Sequence, residues 1–144
     1  VEMLVVLMIL ALISSISLLY LPNRYNDSRM GVLAGDIMQS LNQTRLLALK
    51  SHQDAFFKVN LQMGRFWLEG AGTGEYGISK LPDDVEVEMH TALDEVDTDN
   101  ISAIRFFPDG SSTGGYIRIK NKNKAYKISI NWLTGKVFSE NDQP

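Results

Sequence analysis

An uninterrupted apolar run, Met3 to Leu21, constrains this chain more than any other feature; it is headed by a carboxylate, Glu2, and closed by Pro22. As a helix, its nineteen residues extend about 28 Å at ~1.5 Å per residue, close to the ~30 Å thickness of a bilayer's hydrocarbon core. Its serines, Ser14, Ser15 and Ser17, can bond back to helix carbonyls. A secretory signal peptide fits poorly, because Leu19-Tyr20-Leu21 places bulky residues where cleavage needs small ones. A plain membrane anchor explains the length but not Glu2. An ionisable group at the end of a membrane helix is costly, and is therefore a functional candidate.

The remaining residues suffice for one small domain with a modest core. There is no cysteine, which excludes disulfides and thiolate metal sites. The net charge of −3 argues weakly against nucleic acid as the main partner.

Pro22 interrupts the helical pattern, and Asp27 or Ser28 can cap a restarted helix. Met30, Leu33, Ala34, Ile37, Met38, Leu41, Ala48 and Leu49 then recur at three- and four-residue steps, opposite Arg29, Asp36, Gln39, Ser40 and Gln43. That is an amphipathic helix over about 28–51, weakened at Gly31 and Gly35. After His52 the period becomes two. Phe57, Val59 and Leu61 alternate with Lys58, Asn60 and Gln62, and Met63-Gly64 turns into a strand from Arg65 to Glu69. Further strands are expected around Val85–Met89, Ile104–Phe106, Ile117–Ile119, Tyr126–Ile130 and Lys136–Phe138, with turns at 108–110, 121–124 and 134–135. The expected fold class is α+β: a long N-terminal helix packed on a small antiparallel β domain. Residues 1–22 form the transmembrane part and 23–144 one further domain, with the β region at about 55–140.

Four constellations suggest chemistry, and each has a plainer reading. Gly72-Thr73-Gly74-Glu75-Tyr76-Gly77 matches the spacing of a dinucleotide-binding loop, but no helix follows to hold a pyrophosphate; a flexible hairpin loop is expected. Asp94, Glu95, Asp97 and Asp99 imitate a calcium loop. Asn100 stands where an EF-hand needs glycine and Phe106 where it needs glutamate, so a solvated acidic loop is expected. His52 and His90 lack partners at metal-binding spacing and are read as surface residues. Arg118, Lys120, Lys122, Lys124 and Lys127 gather on one hairpin, a solvated face by default and a phosphate site as the sharper alternative. No nucleophile, base and orienting group can be assembled, so neither catalysis nor a cofactor is expected.

Glu2 followed by Met-Leu-Val-Val-Leu-Met-Ile-Leu-Ala-Leu-Ile resembles the N-terminal methylation segment of type IV pilins and type II secretion pseudopilins. Ile104-Arg105-Phe106-Phe107-Pro108-Asp109-Gly110-Ser111-Ser112-Thr113-Gly114-Gly115 is similar to the hallmark of the GspH/FimT-type minor pilins, and Ile130-Asn131-Trp132-Leu133-Thr134-Gly135-Lys136-Val137 to their closing hairpin. Physically the motif is a turn device, with Phe106, Pro108, Asp109, Gly110, Ser111, Gly114 and Gly115 as its characteristic residues. A subunit contact is its alternative role. Residues 63–100 match no family pattern.

The resemblance implies an H-type minor pseudopilin: a structural subunit, not an enzyme, of a type II secretion pseudopilus. It further implies three residues before Val1, Phe-Thr-Leu in the family, and ahead of them a basic leader that a prepilin peptidase removes. The implied location is the bacterial inner membrane, with the β domain in the periplasm. The implied partners are the I-, J- and K-type minor pseudopilins, the major pseudopilin, the peptidase and the inner-membrane assembly platform, with Glu2 acting in assembly and no nucleic acid bound. Pro22, twenty positions after Glu2, matches the secretion-type H subunits better than ordinary pilins. The ending Phe138-Ser139-Glu140-Asn141-Asp142-Gln143-Pro144 reads as an acidic tail that would repel phosphates. The alternatives are a type IV pilus minor pilin of the FimT kind, acting in pilus assembly or DNA uptake, and a signal-anchored periplasmic binding domain or enzyme.

Overall fold

The structure, a computed structural model, describes residues 2–17, 21–92 and 100–142. Two helices come first, α1 (Glu2–Ser17) and α2 (Leu21–Ser51). The strands follow as β1 (Ala55–Asn60), β2 (Arg65–Gly70), β3 (Thr73–Lys80), β4 (Glu86–His90), β5 (Ile101–Phe106), β6 (Gly115–Lys120), β7 (Ala125–Ile130) and β8 (Val137–Asp142).

The 16 residues of α1 reach roughly 24 Å. The apolar run expected to extend to Leu21 continues past the described end of this helix, and among the described residues no helix is long and apolar enough to cross a membrane. Large apolar side chains from Met3 to Ile13 are exposed, and the Ser14 hydroxyl donates to the Leu10 carbonyl at 2.9 Å.

Helix α2 starts at Leu21, earlier than the expected cap at Asp27 or Ser28. Residues 21–28, Pro22 among them, are thus already helical. The buried stripe is Met30, Leu33, Ala34, Ile37, Leu41 and Ala48, with Met38 packed at its margin. Thr44, polar and absent from the sequence pattern, is also buried; its hydroxyl returns to the Ser40 carbonyl at 2.8 Å, which satisfies it. The helix ends with Lys50 in the last turn and His52 at φ 54°, a left-handed residue just past the last turn.

The strands form two antiparallel four-stranded sheets, ordered β3-β2-β1-β5 and β4-β6-β7-β8. In the first, Phe57 lies opposite Leu68 and Ile104; in the second, Ile117 lies opposite Met89 and Ile128. Both sheets turn an apolar face to α2, and Phe57, Val59, Phe66, Ile104, Phe106, Ile117, Ile119 and Ile128 close the core against the helix stripe. Burial of this shared core is the main force holding helix and sheets together.

One strand departs from expectation. The residues from Thr73 onward are β3 rather than a flexible loop, and only Ala71-Gly72 forms the turn. Pairing of β3 with β2 shifts register between Phe66 and Leu68 and again between Glu69 and Gly70. Such bulges break the two-residue period and twist an edge strand away from foreign pairing.

Candidate functional site

The motif from Phe106 to Gly115 joins the two sheets to each other and to the helix. Phe106 is buried at the end of β5 and forms an isolated bridge with Ser112. Between them, the Gly110 N–H donates to the Phe107 carbonyl and the Phe107 N–H to the Ser111 carbonyl, each at 2.9 Å, closing a tight turn on Pro108 and Asp109. Asp109 accepts from the Ser111 hydroxyl and from the Ser111 N–H, and these bonds hold its carboxyl below the usual carboxylate range.

Ser112 and Thr113 then close the free edge of β5. The Thr113 N–H donates to the Arg105 carbonyl at 3.0 Å, and its hydroxyl oxygen accepts from the Arg105 N–H at 3.2 Å. Buried Ser112 reaches the other way: its N–H donates to the Trp132 carbonyl at 2.8 Å, and its hydroxyl to the Asn131 carbonyl at 3.2 Å. The motif is therefore a joint between the edge of one sheet and the β7–β8 hairpin of the other.

Arg45 fastens this joint to α2, its Nε donating to the Gly110 carbonyl at 3.1 Å. Two glycines make the close approach possible. At Gly135, φ is 64° and a Cβ would overlap the Gly110 carbonyl oxygen; at Gly115, φ is 129° and a Cβ would overlap the His90 carbonyl oxygen. Neither position accepts a side chain without moving backbone. Neither Arg45 nor these approaches can be read from sequence spacing, although Gly135 lies within the family-like closing hairpin.

That hairpin presents Trp132 and Leu133, 65% and 64% exposed, on a fixed turn. The Asn131 carboxamide oxygen accepts from the Leu133 and Thr134 N–H groups at 2.9 and 3.0 Å.

The basic cluster is a charge ladder across the outer face of the second sheet. Arg118 and Lys120 point away from buried Ile117 and Ile119. Arg118 pairs with Asp142 at 2.6 Å and lies 3.7 Å from Glu88; Lys120 lies 2.9 Å from Glu86 and 3.2 Å from Glu88. The bonds to Asp142 raise the Arg118 pKa, and those to Glu86 and then Glu88 raise that of Lys120. The acidic ending expected as a tail is strand β8 through Asp142, and its register places Glu140 opposite Lys127. A phosphate reaching Arg118 or Lys120 would have to displace these carboxylates.

His90 stacks on Tyr116 with ring centroids 5.3 Å apart, and Lys127 lies 4.6 Å from the same Tyr116 ring. His52 is exposed at the end of α2. Asp94, Glu95, Asp97 and Asp99 lie outside the described residues. Among the described residues, no three His, Cys, Asp or Glu side chains are grouped to hold a metal ion. Glu2 is exposed in the first turn of α1, on a different element from the motif joint.

Residues 33–135 match the family model described as type II transport protein GspH. Type II secretion system protein H of Xanthomonas campestris pv. campestris is 29% identical over 138 residues, covering 96% of this chain and 79% of that protein. The fold is similar to that of the minor pseudopilin EpsH from the type 2 secretion system of Vibrio cholerae, with TM-score 0.61, 13% identity, and 77% and 95% of the two chains covered. It is also similar to the type IV minor pilin FimU of Pseudomonas aeruginosa PAO1, with TM-score 0.53, 12% identity, and coverage of 76% and 94%. A motif joint built on Gly110, Ser112, Gly115 and Gly135, in a helix-on-two-sheets fold matched over most of its length, places the chain in the GspH family as a pilin-like pseudopilin of type II secretion.

Proposed function

We propose that this chain is a structural minor pseudopilin that joins the tip complex of I-, J- and K-type subunits to the major pseudopilin fibre. Residues 1–22 hold it in the inner membrane before assembly, and residues 23–144 form its periplasmic domain. A prepilin peptidase trims and methylates its N-terminus, and the inner-membrane platform delivers it to the fibre. The observation that carries this reading is Glu2 at the head of an apolar helix, in a chain whose later residues belong to the GspH family.

In the fibre, Glu2 pairs with the N-terminal amine of a neighbouring subunit. A carboxylate among apolar side chains is tolerated there because its charge is compensated, and removal of one partner leaves the other uncompensated. Glu2→Ala and Glu2→Val are therefore expected to insert into membranes normally but to fail in fibre incorporation and secretion. Unimpaired secretion by both variants would refute the assignment.

A further inference from the structure

We propose that Asp109–Gly110 is a self-modification site that the motif joint keeps silent: when the joint opens, the Gly110 nitrogen closes on the Asp109 side chain and the turn passes to its isoaspartyl form. This goes beyond the assembly reading above and does not depend on it. Among all aspartates and asparagines of the chain, Asp109 alone is followed by glycine. Glycine matters because no Cβ shields its nitrogen from the preceding side chain.

The chemistry needs only water. The Gly110 nitrogen attacks Cγ of the protonated Asp109 carboxyl. An N–C bond forms, the amide proton and the carboxyl hydroxyl leave together as water, and a five-membered succinimide results. Water then opens one of its two C–N bonds. One opening restores aspartate. The other leaves the main chain running through the former side-chain carboxyl, longer by one methylene, with mass and oxidation state unchanged.

In the closed joint both reacting groups are engaged. The Gly110 N–H donates to the Phe107 carbonyl at 2.9 Å, and the Gly110 carbonyl accepts from Arg45 Nε at 3.1 Å. Gly110 itself is buried against Arg45 and Leu49. Cyclisation must turn the Asp109–Gly110 peptide, which breaks the first bond and disturbs the second. Asp109 Oδ1 accepts from the Ser111 N–H and hydroxyl, so its carboxyl is fixed over Ser111. The same bonds favour the ionised carboxylate, which the nitrogen does not attack.

An added methylene does not fit the closed turn. The bond from the Phe107 N–H to the Ser111 carbonyl, and that from the Gly110 N–H to the Phe107 carbonyl, both span Asp109 and fix the number of main-chain atoms between their ends. The Gly110 carbonyl must also meet Gly135. A chain isomerised while open is therefore barred from closing the joint, and subunits left unfolded are set apart from sound ones.

The full chain is held in detergent at neutral pH, folded or in guanidinium chloride, and the peptide carrying Asp109 is mapped over time. Isoaspartate elutes apart at unchanged mass, and succinimide is lighter by one water. The denatured parent is expected to accumulate isoaspartate at least about tenfold faster than the folded one, in which the clamping bonds must first break. Ser111→Ala, shown to be folded by its melt, should isomerise about tenfold faster than the folded parent, the factor that one hydrogen bond to a charged group represents. Asp109→Glu, which would need a six-membered ring, should give no isomer. Isoaspartyl chains returned from denaturant should melt below the parent. Equal rates in the folded and denatured parent would overturn the proposal, as would a folded Ser111→Ala protein that isomerises no faster than the parent. An isomerised chain that regains the parent's melting temperature would overturn it too. If Ser111→Ala does not fold, Arg45→Met, which frees the Gly110 carbonyl, takes its place: a several-fold rise in the folded state is expected, and an unchanged rate counts against the proposal in the same way.

Discussion

Arg45 Nε, on α2, donates to the carbonyl of Gly110, sixty-five positions later in the chain, at 3.1 Å. The same carbonyl abuts Gly135, so one guanidinium ties the helix to both the motif turn and the β7–β8 hairpin. Arg45→Met keeps most of the aliphatic stem and removes the donor. It is expected to lower stability by about 1 kcal/mol, with the Gly110 acceptor losing its partner. Chemical denaturation measures this; an unchanged midpoint would mean that the stem alone fastens the joint.

Opposite signs are expected at two glycines. Gly135→Ala must displace the Gly110 carbonyl from a left-handed position and should cost about 2–3 kcal/mol. Gly35 lies within α2, and a methyl group added there would meet nothing within 4 Å, so Gly35→Ala should stabilise by about 1 kcal/mol. Thermal melts of the two variants decide the matter, and a stable Gly135→Ala protein would refute the close approach.

The two charged groups of opposite kind should respond at opposite ends of the pH scale. Lys120 has a pKa raised above 10.5 by Glu86 and Glu88, so its contribution is complete below that value and lost as pH rises through the folded one. Asp109 has a pKa lowered from 3.8 by Ser111, so its contribution is complete above that value and lost as pH falls through the folded one. Lys120→Met is expected to flatten the alkaline limb of the melting profile, and Asp109→Asn the acid limb. A variant whose profile parallels the parent on its own limb would contradict the corresponding assignment.

Duplex DNA should not bind at about 0.15 M salt, where the Debye length is ~8 Å and a close, concentrated basic site is required. The ladder instead engages Arg118 and Lys120 with Asp142, Glu88 and Glu86. A fluorescence anisotropy titration tests this. Tight, salt-sensitive binding abolished by Lys122→Glu with Lys124→Glu would favour the DNA-uptake pilin over the secretion subunit.

Much of this architecture is legible in the sequence wherever one face of an element is buried. Met30, Leu33, Ile37 and Leu41 repeat with the helical period because one side of α2 meets both sheets. Ile117 and Ile119 alternate with Arg118 and Lys120 because β6 has one apolar and one charged face. Strand β3 escapes the pattern, since most of its residues are exposed and bulges spoil its alternation. Strand β8 looks like a tail in the sequence because only Val137 at its start is buried, and the residues after it carry no apolar rhythm. The turn character of Pro108-Asp109-Gly110 is visible in its residue types, whereas Arg45 is not. A single hydrogen bond between distant positions leaves no periodic trace, and neither does a cross-strand pair such as Arg118 with Asp142.

The buried stripe of α2 runs from Met30 to Ala48 and touches both sheets along its length. Traction applied at the start of α2 therefore enters the domain along the axis of a rod embedded in its core. Side chains along the whole stripe must slide together under such a load, instead of letting go one after another. Polypeptide structures loaded in this shearing mode resist far more force than those opened like a zipper. On the proposed assembly route, a subunit drawn into a fibre by its N-terminal helix is held along the whole of this stripe.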